Sequence, residues 1–176
     1  GCWINVVEPT PTEIENLHKT FNLDKQNLIS GLDKNEITRV EFVDKDVYVI
    51  LKIIILQDDK QKLHTFLITI KDNFILTLSK YKLDFVDKIM RGEVKFITTQ
   101  KLEFLLDLFS MINKDFEKST LSVVRSVNFM RESFTELTEK DIDSLLDQEG
   151  VLNNFVSSYY YTNLMYGRII KHMKFP

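Results

Sequence analysis

The chain contains little cysteine, glycine or proline. Its 176 residues include one cysteine, five glycines and three prolines. The single Cys2 excludes an internal disulfide, and with only three histidines there is no Cys/His cluster at the spacing of a structural zinc site. The glycines are isolated from one another, so no glycine-rich loop can cradle a phosphate. These absences disfavour a disulfide-stabilised protein, a structural zinc protein and a nucleotide-binding protein with a phosphate loop. The single cysteine also favours a reducing compartment.

A dominant charge sign and long apolar runs are also missing. The 23 basic and 26 acidic residues give a net charge of −3 with interspersed signs, which disfavours nucleic acid as a partner. The most apolar stretch, Val47–Leu56, includes Lys52 and has about half of the roughly 20 residues that a membrane helix needs. The sequence therefore predicts no membrane-spanning segment within this chain.

What the sequence does contain is enough apolar surface for a core. Hydrophobic residues make up 44% and charged residues 28% of the chain, which is typical of one globular domain, with or without a helical appendage. We predict an α/β (α+β) fold in which a mostly antiparallel sheet lies between helices, an α/β/α sandwich with a long helical C-terminal arm. Residues 1–97 would form the core, and residues 98–176 would form an arm that packs on the core and extends from it.

The first part of the chain carries a strand and two helix starts. Trp3–Val7 is short and β-branched, which is typical of a strand. Thr10, Pro11 and Glu13 match the N-cap, first and third positions of a capping box, so a helix should begin at Pro11. Asp24 is placed to cap a second, short helix. The apolar residues of that helix are Leu28, Ile29 and Leu32.

The middle of the chain changes to the period of strands. Val47–Leu56 is apolar on both faces, as expected of an interior strand that is buried on both sides. The segments Arg39–Phe42, Leu63–Ile70 and Phe74–Leu78 are joined to it and to each other by polar turns of hairpin length. The four strands predict an antiparallel meander, and helices must cover both of its apolar faces.

After the meander the apolar period is that of helices. One helical face consists of Phe85, Val86, Ile89 and Met90. That helix should stop at Gly92, and a helix of roughly 30 residues should follow from about Thr99. The apolar residues of the long helix are Leu102, Leu105, Leu106, Phe109, Ile112 and Phe116, continued by Leu121, Val124, Val127 and Phe134. Thr138 and Asp141 resemble another capping pair, which would open a last helix.

No residue or motif supports catalysis. His18 lies on the first predicted helix and is expected to be a partly buried structural residue, whereas His64, at a strand start, and His172 are expected at the surface. No two histidines have the i, i+4 spacing that converges on a metal. Cys2 has neither a basic neighbour nor a helix N-terminus to activate its thiol. We therefore predict no enzyme, no catalytic residue and no tightly bound cofactor.

Acidic residues are the other candidates, because hard divalent cations need several oxygen ligands. The candidates in turns are Asp33, Glu36, Asp44, Asp46, Asp58 and Asp59, and those on the last helix are Asp141, Asp143 and Asp147. Turns and first helical turns favour acidic residues for conformational and dipole reasons alone. The sequence therefore leaves the position of any metal site unassigned.

The carboxy-terminal stretch is unusually aromatic. Its aromatic residues include Phe155, Tyr159, Tyr160, Tyr161 and Tyr166. Consecutive tyrosines point in different directions around a helix, so not all of them can face one core. A helical surface that is rich in tyrosine and poor in charge is typical of the centre of an interface. We predict oligomerisation or docking through this arm.

Several short motifs occur in a characteristic order along the chain. They are Trp3-Ile4-Asn5, Pro9-Thr10-Pro11-Thr12-Glu13, Leu32-Asp33, Asn35-Glu36, Arg39-Val40-Glu41, Tyr48–Leu51 and Asn73–Thr77. This order resembles the cytoplasmic amino-terminal domain of CorA-type divalent-cation transporters, with Ile37 and Thr38 where that family carries Arg-Pro. The resemblance extends from Trp3 to about Phe116. It is weaker in the later helices, where Leu146, Leu152 and Phe155 suit the family.

The resemblance implies a transporter of magnesium, cobalt, nickel or zinc that assembles as a pentamer. Its cytoplasmic funnel would contribute to assembly and to cation-dependent gating, while two carboxy-terminal membrane helices and a Gly-Met-Asn loop would form the pore. This chain contains neither of them. We therefore expect a truncated domain at the cytoplasmic face of the plasma membrane, with other copies and divalent cations as its partners.

The chain departs from the family at the end of the second predicted helix, and a second functional hypothesis is open. In magnesium members of the family, acidic residues near the end of the second helix help to bind a regulatory metal between subunits. Ile29 and Ser30 stand there in this chain and carry no charge, so no metal ligand is assigned by the resemblance. The alternative hypothesis is a free-standing intracellular module that self-associates through the tyrosine-bearing arm.

Overall fold

The computed structural model describes residues 2–57, 60–94, 100–133 and 138–172, with the backbone alone at Ser133 and His172. The elements in chain order are β1 (Cys2–Val7), α1 (Pro11–Phe21), α2 (Lys25–Ser30), β2 (Arg39–Val43), β3 (Asp46–Gln57), β4 (Lys60–Ile70), β5 (Phe74–Ser79), α3 (Asp84–Met90), α4 (Lys101–Ser133) and α5 (Glu139–His172). Strands and helices thus occur in the predicted order, and the predicted first helix begins at Pro11.

The strands form one sheet in the order β1-β5-β4-β3-β2. β2 to β5 pair antiparallel with their neighbours in the sequence, which confirms the predicted meander. β1 instead pairs parallel with β5 and places Trp3 opposite Ile75. α1 and α2 then connect β1 at one edge of the sheet to β2 at the other edge.

Side chains alternate between two cores on opposite faces of the sheet. From β3, Tyr48 and Ile50 belong to one core, and Val49 and Leu51 belong to the other. The first, which we name the α1–α2 core, is closed by Ile14, Leu23 and Leu28. The second, the α4–α5 core, is closed by residues that include Phe85, Phe104, Phe109, Phe116 and Phe155. Helices cover both faces, which confirms the predicted α/β/α sandwich.

The capping signals at the helix starts form as predicted. Thr10 Oγ1 accepts a hydrogen bond from Glu13 N–H at 3.3 Å, and Glu13 Oε2 accepts one from Thr10 N–H at 2.7 Å. Asp24 caps α2 by accepting a backbone N–H at 2.8 Å. Thr138 N–H donates to the Asp141 carboxylate at 3.0 Å at the start of α5. Three helix starts are therefore determined by local sequence.

The buried face of α4 differs from its predicted continuation. The buried stripe passes through Phe116 and Val123, which lie on one side of a helix at heptad spacing. Leu121 and Val124 lie off this stripe and are exposed. The apolar period thus continues through residues that are not buried, because an apolar pattern cannot distinguish a wide buried stripe from a stripe with an apolar margin. Phe134 lies outside the described residues.

The ends of the two short helices also differ from the prediction. Met90 was predicted on the packed face but is exposed, because α3 ends there and Ile89 is its last buried residue. Leu32 was assigned to the second helix but comes after it, since α2 ends at Ser30. Boundaries of short helices are the least certain feature of a periodic pattern.

α4 and α5 are long helices that each bury one stripe. They contain 33 and 34 residues, respectively. The buried residues of α5 are Phe155, Ser158, Thr162, Met165 and Ile169. Within the described part of the chain, no helix combines the length and the apolar composition that a membrane crossing requires.

The helical layer and the sheet share the α4–α5 core. Phe66 and Ile68 of β4 and Phe104 and Phe109 of α4 belong to the same cluster. The predicted boundary between residues 97 and 98 falls in the range 95–99, which lies outside the described residues. The division of the chain into a core and an arm at that point stays a prediction.

Candidate functional site

His18 and Cys2 occupy the environments that the sequence predicts for them. His18 is partly buried at the end of α1, and its Nδ1 lies 2.6 Å from the carbonyl oxygen of Leu23. This contact ties α1 to the loop after it, as a structural histidine would. Cys2 is an exposed free thiol in β1. The side chain of His172 lies outside the described residues.

The prediction that His64 lies at the surface was wrong, because this residue is buried and only 8% exposed. β4 already begins at Lys60, so His64 lies well inside the central strand. The Tyr81 ring packs on it edge to face with a centroid separation of 4.3 Å. Burial lowers the pKa of His64, and the nearby positive charges lower it further. Those charges belong to Lys52, Lys62, Lys80 and Lys34.

The candidate acidic residues do not gather into a metal site. Among the described residues, no group of three or more His, Cys, Asp or Glu side chains could hold a metal ion. Asp46 is ion-paired with Lys71, and the Asp33 carboxylate accepts the backbone N–H of Asn35 at 2.9 Å. Asp44 has a left-handed backbone in its turn, and Asp143 and Asp147 are exposed on α5. Asp58 and Asp59 lie outside the described residues.

Residues Ser30–Glu41 link α2 to β2, and we name this segment the α2–β2 corner. Arg39 is its centre. Arg39 Nη1 lies 2.5 Å from Glu36 Oε1, and Arg39 Nε lies 2.6 Å from Glu41 Oε1. Arg39 Nη2 donates to the Ser30 hydroxyl at 3.2 Å. A single guanidinium thus joins the end of α2 to the start of β2.

The electrostatics of the corner keep the Glu36 carboxyl charged. Burial acts to raise the pKa of Glu36, but this effect is outweighed by hydrogen bonds and charge. The Ser30 hydroxyl and the Ile37 N–H donate to the carboxylate, and the Arg39 guanidinium adds its charge and a hydrogen bond. The pKa of Glu36 is therefore lowered overall.

Lys52 is a second cation directed at the same segment. Its Nζ donates to the carbonyl oxygen of Lys34 at 2.7 Å and to Thr65 Oγ1 at 2.9 Å. Burial lowers the pKa of Lys52, and the charges of Asp33 and Glu36 oppose that shift. Lys52 therefore connects the loop of the α2–β2 corner to strands β3 and β4.

An apolar groove runs between α4 and α5 and encloses a cavity of about 840 Å³. Its apolar lining includes Leu106, Phe116, Leu121, Phe155, Val156 and Tyr159. Tyr159, Tyr160 and Tyr161 are all exposed. This confirms the prediction that consecutive tyrosines cannot all face one core. Phe155 is the member of the aromatic group that is buried.

Tyr166 is a half-buried residue that lines this groove. Its ring centroid is 4.5 Å from that of Phe109, and Asn113 Nδ2 donates to its hydroxyl at 3.4 Å. Burial raises the pKa of Tyr166 to about 12, so the hydroxyl stays protonated at neutral pH. The groove thus combines apolar surface with polar side chains, which include the charged Lys114 and Glu117.

A chain of hydrogen bonds that the sequence alone does not reveal lies behind the Trp-Ile-Asn motif. Trp3 Nε1 donates to Thr77 Oγ1 at 2.9 Å, and Thr77 Oγ1 donates to Asn5 Oδ1 at 2.9 Å. The Trp3 ring also packs edge to face on Phe104 of α4, with centroids 5.2 Å apart. Trp3 and Asn5 share one face of β1 at i, i+2 spacing. Their partner Thr77 depends on the pairing of distant strands.

The geometry defines a class of protein: a three-layer α/β/α domain with two long helices, an apolar groove and no metal-binding cluster among its described residues. Comparison with known families then specifies the family. The sequence model for "CorA-like Mg2+ transporter protein" matches residues 1–174. The chain belongs to the CorA-like Mg²⁺ transporter family.

Individual relatives agree with this assignment. The cobalt/magnesium transport protein CorA of Methanocaldococcus jannaschii is 27% identical over 144 residues, which cover 78% of this chain and 43% of that protein. The soluble domain of CorA from Methanocaldococcus jannaschii matches with a TM-score of 0.85 at 19% identity, over 99% of this chain and 71% of that chain. The ZntB cytoplasmic domain from Vibrio parahaemolyticus matches with a TM-score of 0.77 at 11% identity, over 97% and 69% of the two chains. This chain shares their fold and spans less than half the length of the curated relative.

Proposed function

We propose that this chain is the cytoplasmic domain of a CorA-like transporter of divalent cations. The observation that carries the proposal is the family match over residues 1–174, which includes both the sheet and the helical layer. The relative named as a cobalt/magnesium transport protein supports Mg²⁺ and Co²⁺ as cargo, and the family resemblance adds Ni²⁺ and Zn²⁺. The cation is the cargo in this proposal and not a tightly bound cofactor.

The domain would contribute to assembly and gating, and it would have no enzymatic activity. Three of the candidate residues have other roles: His18 contacts a loop carbonyl, His64 packs under a ring, and the Asp141 carboxylate accepts the N–H of Thr138 at a helix start. These are the contacts of structural residues. The protein would lie at the cytoplasmic face of the plasma membrane and would be attached through membrane helices outside this chain.

The groove between α4 and α5 is proposed as a contact surface for a second copy of the chain, which would form a pentamer in the intact transporter. Val156, Tyr159 and Tyr160 expose apolar or aromatic surface along it. Lys114 and Glu117 line the same groove with opposite charges, so a neighbouring copy can present a complementary charge to each. Residues 98–176 would be the arm that carries this surface, and residues 1–97 would be the core that supports it.

A flux assay with the intact protein tests the transport proposal. The protein encoded by the full native reading frame would be purified and reconstituted into liposomes that contain an indicator of divalent cations. MgCl₂, CoCl₂, NiCl₂ or ZnCl₂ would then be added outside the liposomes. The proposal predicts entry of at least one of these cations. Absence of flux with all four, while the protein is inserted and folded, would contradict it. Liposomes with the protein lacking residues 1–176 are the control for the role of this domain in gating.

The groove also supports the second candidate function, a free-standing module that self-associates. The two hypotheses share the same surface and differ in whether membrane helices are encoded after this chain in its native gene. Concentration-dependent self-association of the 176-residue chain is therefore expected from both of them. Only cation flux, or membrane helices in the native reading frame, would distinguish the transporter from the free-standing module.

A further inference from the structure

The α2–β2 corner does not fit the regulatory cation that the family resemblance implies at the end of α2. Ile29 is 54% exposed there, and its apolar side chain has no ligand to offer. Ser30 is the next residue, and its hydroxyl contacts Arg39. Neither residue supplies a carboxylate, which hard divalent cations prefer. The residues at the expected position are therefore the wrong chemistry for such a site.

Other oxygen atoms of the corner are already occupied by side-chain cations. Glu36 and Glu41 each direct one carboxylate oxygen at the Arg39 guanidinium, at 2.5 and 2.6 Å. The carbonyl oxygen of Lys34 accepts a hydrogen bond from Lys52 Nζ at 2.7 Å. Carboxylates and backbone carbonyls are the groups that Mg²⁺ and Ca²⁺ bind. Here they bind a guanidinium and an ammonium instead.

Two oxygen atoms of Asp33 accept hydrogen bonds from neutral donors. Its backbone carbonyl accepts a hydrogen bond from Thr65 Oγ1 at 2.5 Å, and its carboxylate accepts the N–H of Asn35 at 2.9 Å. Thr65 also accepts from Lys52 Nζ, so the Asp33 carbonyl is connected to that ammonium through one hydroxyl. The loop is thus held in place by contacts within the chain.

We infer that Arg39 and Lys52 act as built-in cations that hold the α2–β2 corner and keep divalent cations from binding there. A guanidinium carries its charge at every physiological pH and binds carboxylates in a fixed geometry. The corner therefore forms independently of the Mg²⁺ concentration. The inference rests on the proposed function only for its consequence: cation-dependent gating of the intact transporter must use residues outside this corner.

Manganese as a paramagnetic probe tests the inference at the level of single residues. Mn²⁺ broadens the amide NMR signals of residues close to it, so the 176-residue chain can be titrated with MnCl₂ and read along the sequence. In the wild-type chain, the amides of residues 30–41 are expected to lose no more intensity than the amides of β4. Selective broadening of residues 30–41 would overturn the inference, whereas broadening confined to other segments would support it.

Arg39→Gln tests whether the guanidinium is what excludes the cation. The substitution leaves Glu36 and Glu41 without their shared cation, so Mn²⁺ should now broaden residues 30–41. MgCl₂ should raise the Tm of this variant by about 2–4 °C, the shift expected for a few-fold excess of a cation over its Kd in a chain of this size. An Arg39→Gln variant that folds and gains neither effect would overturn the role of Arg39.

Two further variants serve as controls. Arg39→Lys keeps a positive charge and should resist Mn²⁺ as the wild-type chain does. Arg91→Gln removes an exposed Arg91–Glu93 pair, 2.9 Å apart, at a different position and should leave the corner signals unchanged. If Arg39→Gln fails to fold, the wild-type titration still decides the inference. Failure of the inference would leave cation flux by the intact protein unaffected, and loss of flux would leave the titration result unaffected.

Discussion

The two helical layers of this domain differ in how completely they are closed. α1 and α2 are short, capped helices that cover the α1–α2 core. α4 and α5 are much longer, and they bury one stripe while exposing many apolar side chains. Those exposed side chains include Leu106, Leu121, Phe129, Leu146, Val156, Tyr160 and Leu164. α1 and α2 expose one large apolar side chain, that of Ile29, so the two layers differ in how much apolar surface they leave uncovered within the chain.

Specific contacts hold the α1–α2 layer against the sheet. The buried Tyr48 accepts the N–H of Asp24 through its hydroxyl at 2.8 Å, which joins the start of α2 to β3. Burial raises the pKa of Tyr48, so the hydroxyl stays protonated and the bond persists. At the other end of α2, Gly31 lies so close to Leu67 that an added Cβ would be 2.7 Å from the Leu67 Cβ. The helix is thus held at both ends.

The largest expected effect distinguishes the two sides of α4. Leu105 is fully buried and its neighbour Leu106 is 39% exposed in the groove. Leu105→Ala should lower the free energy of unfolding by about 2–5 kcal/mol because it leaves a cavity in the α4–α5 core. Leu106→Ala, a matched change one position away, should cost about 0.5 kcal/mol or less. Urea denaturation of the two variants checks this, and equal losses would contradict the assignment of the faces.

The next effect concerns the close approach of α2 to the sheet. Gly31→Ala should destabilise the chain by about 1–3 kcal/mol, because the new methyl group overlaps Leu67 in a packed core. Gly150 in α5 has nothing within 4 Å of the position where a Cβ would lie. Gly150→Ala should therefore stabilise the chain by about 0.5–1 kcal/mol. Thermal unfolding should shift in opposite directions, and a neutral Gly31→Ala would contradict the tight packing.

A smaller effect depends on pH and reports on the central strand. Because burial and the surrounding lysines lower the pKa of His64 in the folded chain, the unfolded chain takes up its proton first as the pH falls. The contribution of neutral His64 is complete above the unfolded pKa and is lost as the pH falls through the folded pKa. His64→Gln should therefore show a flatter decline in stability than the wild-type chain as the pH falls below about 7.

The control for this pH dependence is Lys80→Gln. It removes one of the positive charges that lower the pKa of His64 and leaves the ring in place. The folded pKa should rise toward its ordinary value, so the decline in stability should be intermediate between those of the wild type and His64→Gln. Identical pH profiles for all three proteins would show that His64 contributes nothing to the pH dependence.

The smallest effect on stability is expected for a substitution in the groove. Such a substitution should instead change the self-association of the chain. Val156 and Ile37 are both aliphatic and 67% and 69% exposed, but only Val156 lines the groove. Val156→Lys should change the free energy of unfolding by about 0.5 kcal/mol or less. It should nevertheless weaken self-association in sedimentation equilibrium, and Ile37→Lys should leave self-association unchanged. Equal behaviour of both variants would exclude the groove as the contact surface.

Features determined by neighbouring residues could be predicted from the sequence. The caps at Thr10 and Asp24 depend on groups three residues away. The composition of Val47–Leu56 predicts burial on both sides, which holds at residues 48–51 but is wrong for Leu56, which is 68% exposed near the end of β3. The meander could be predicted from turn lengths between apolar segments. The parallel pairing of β1 could not be predicted, because it depends on contacts between Trp3 and a strand that is distant in sequence.

The candidate site was less predictable for the same physical reason. The exposure of Tyr159, Tyr160 and Tyr161 could be predicted, since three consecutive tyrosines cannot all face one core, whereas docking through them stays a prediction. The ion pairs of Arg39, the contact of Lys52 with the Lys34 carbonyl and the burial of His64 all depend on tertiary packing. Each of these polar residues occurs in a sequence context that is equally compatible with a solvated surface.

The most direct test of the central claim is the native reading frame beyond Pro176. A CorA-like transporter should encode two apolar runs of about 20 residues near its carboxy terminus, each long enough to cross a bilayer as a helix. Finding both runs would agree with the assignment of this chain as the cytoplasmic part of a cation transporter. A native stop codon without any such run would contradict that assignment and leave a self-associating domain.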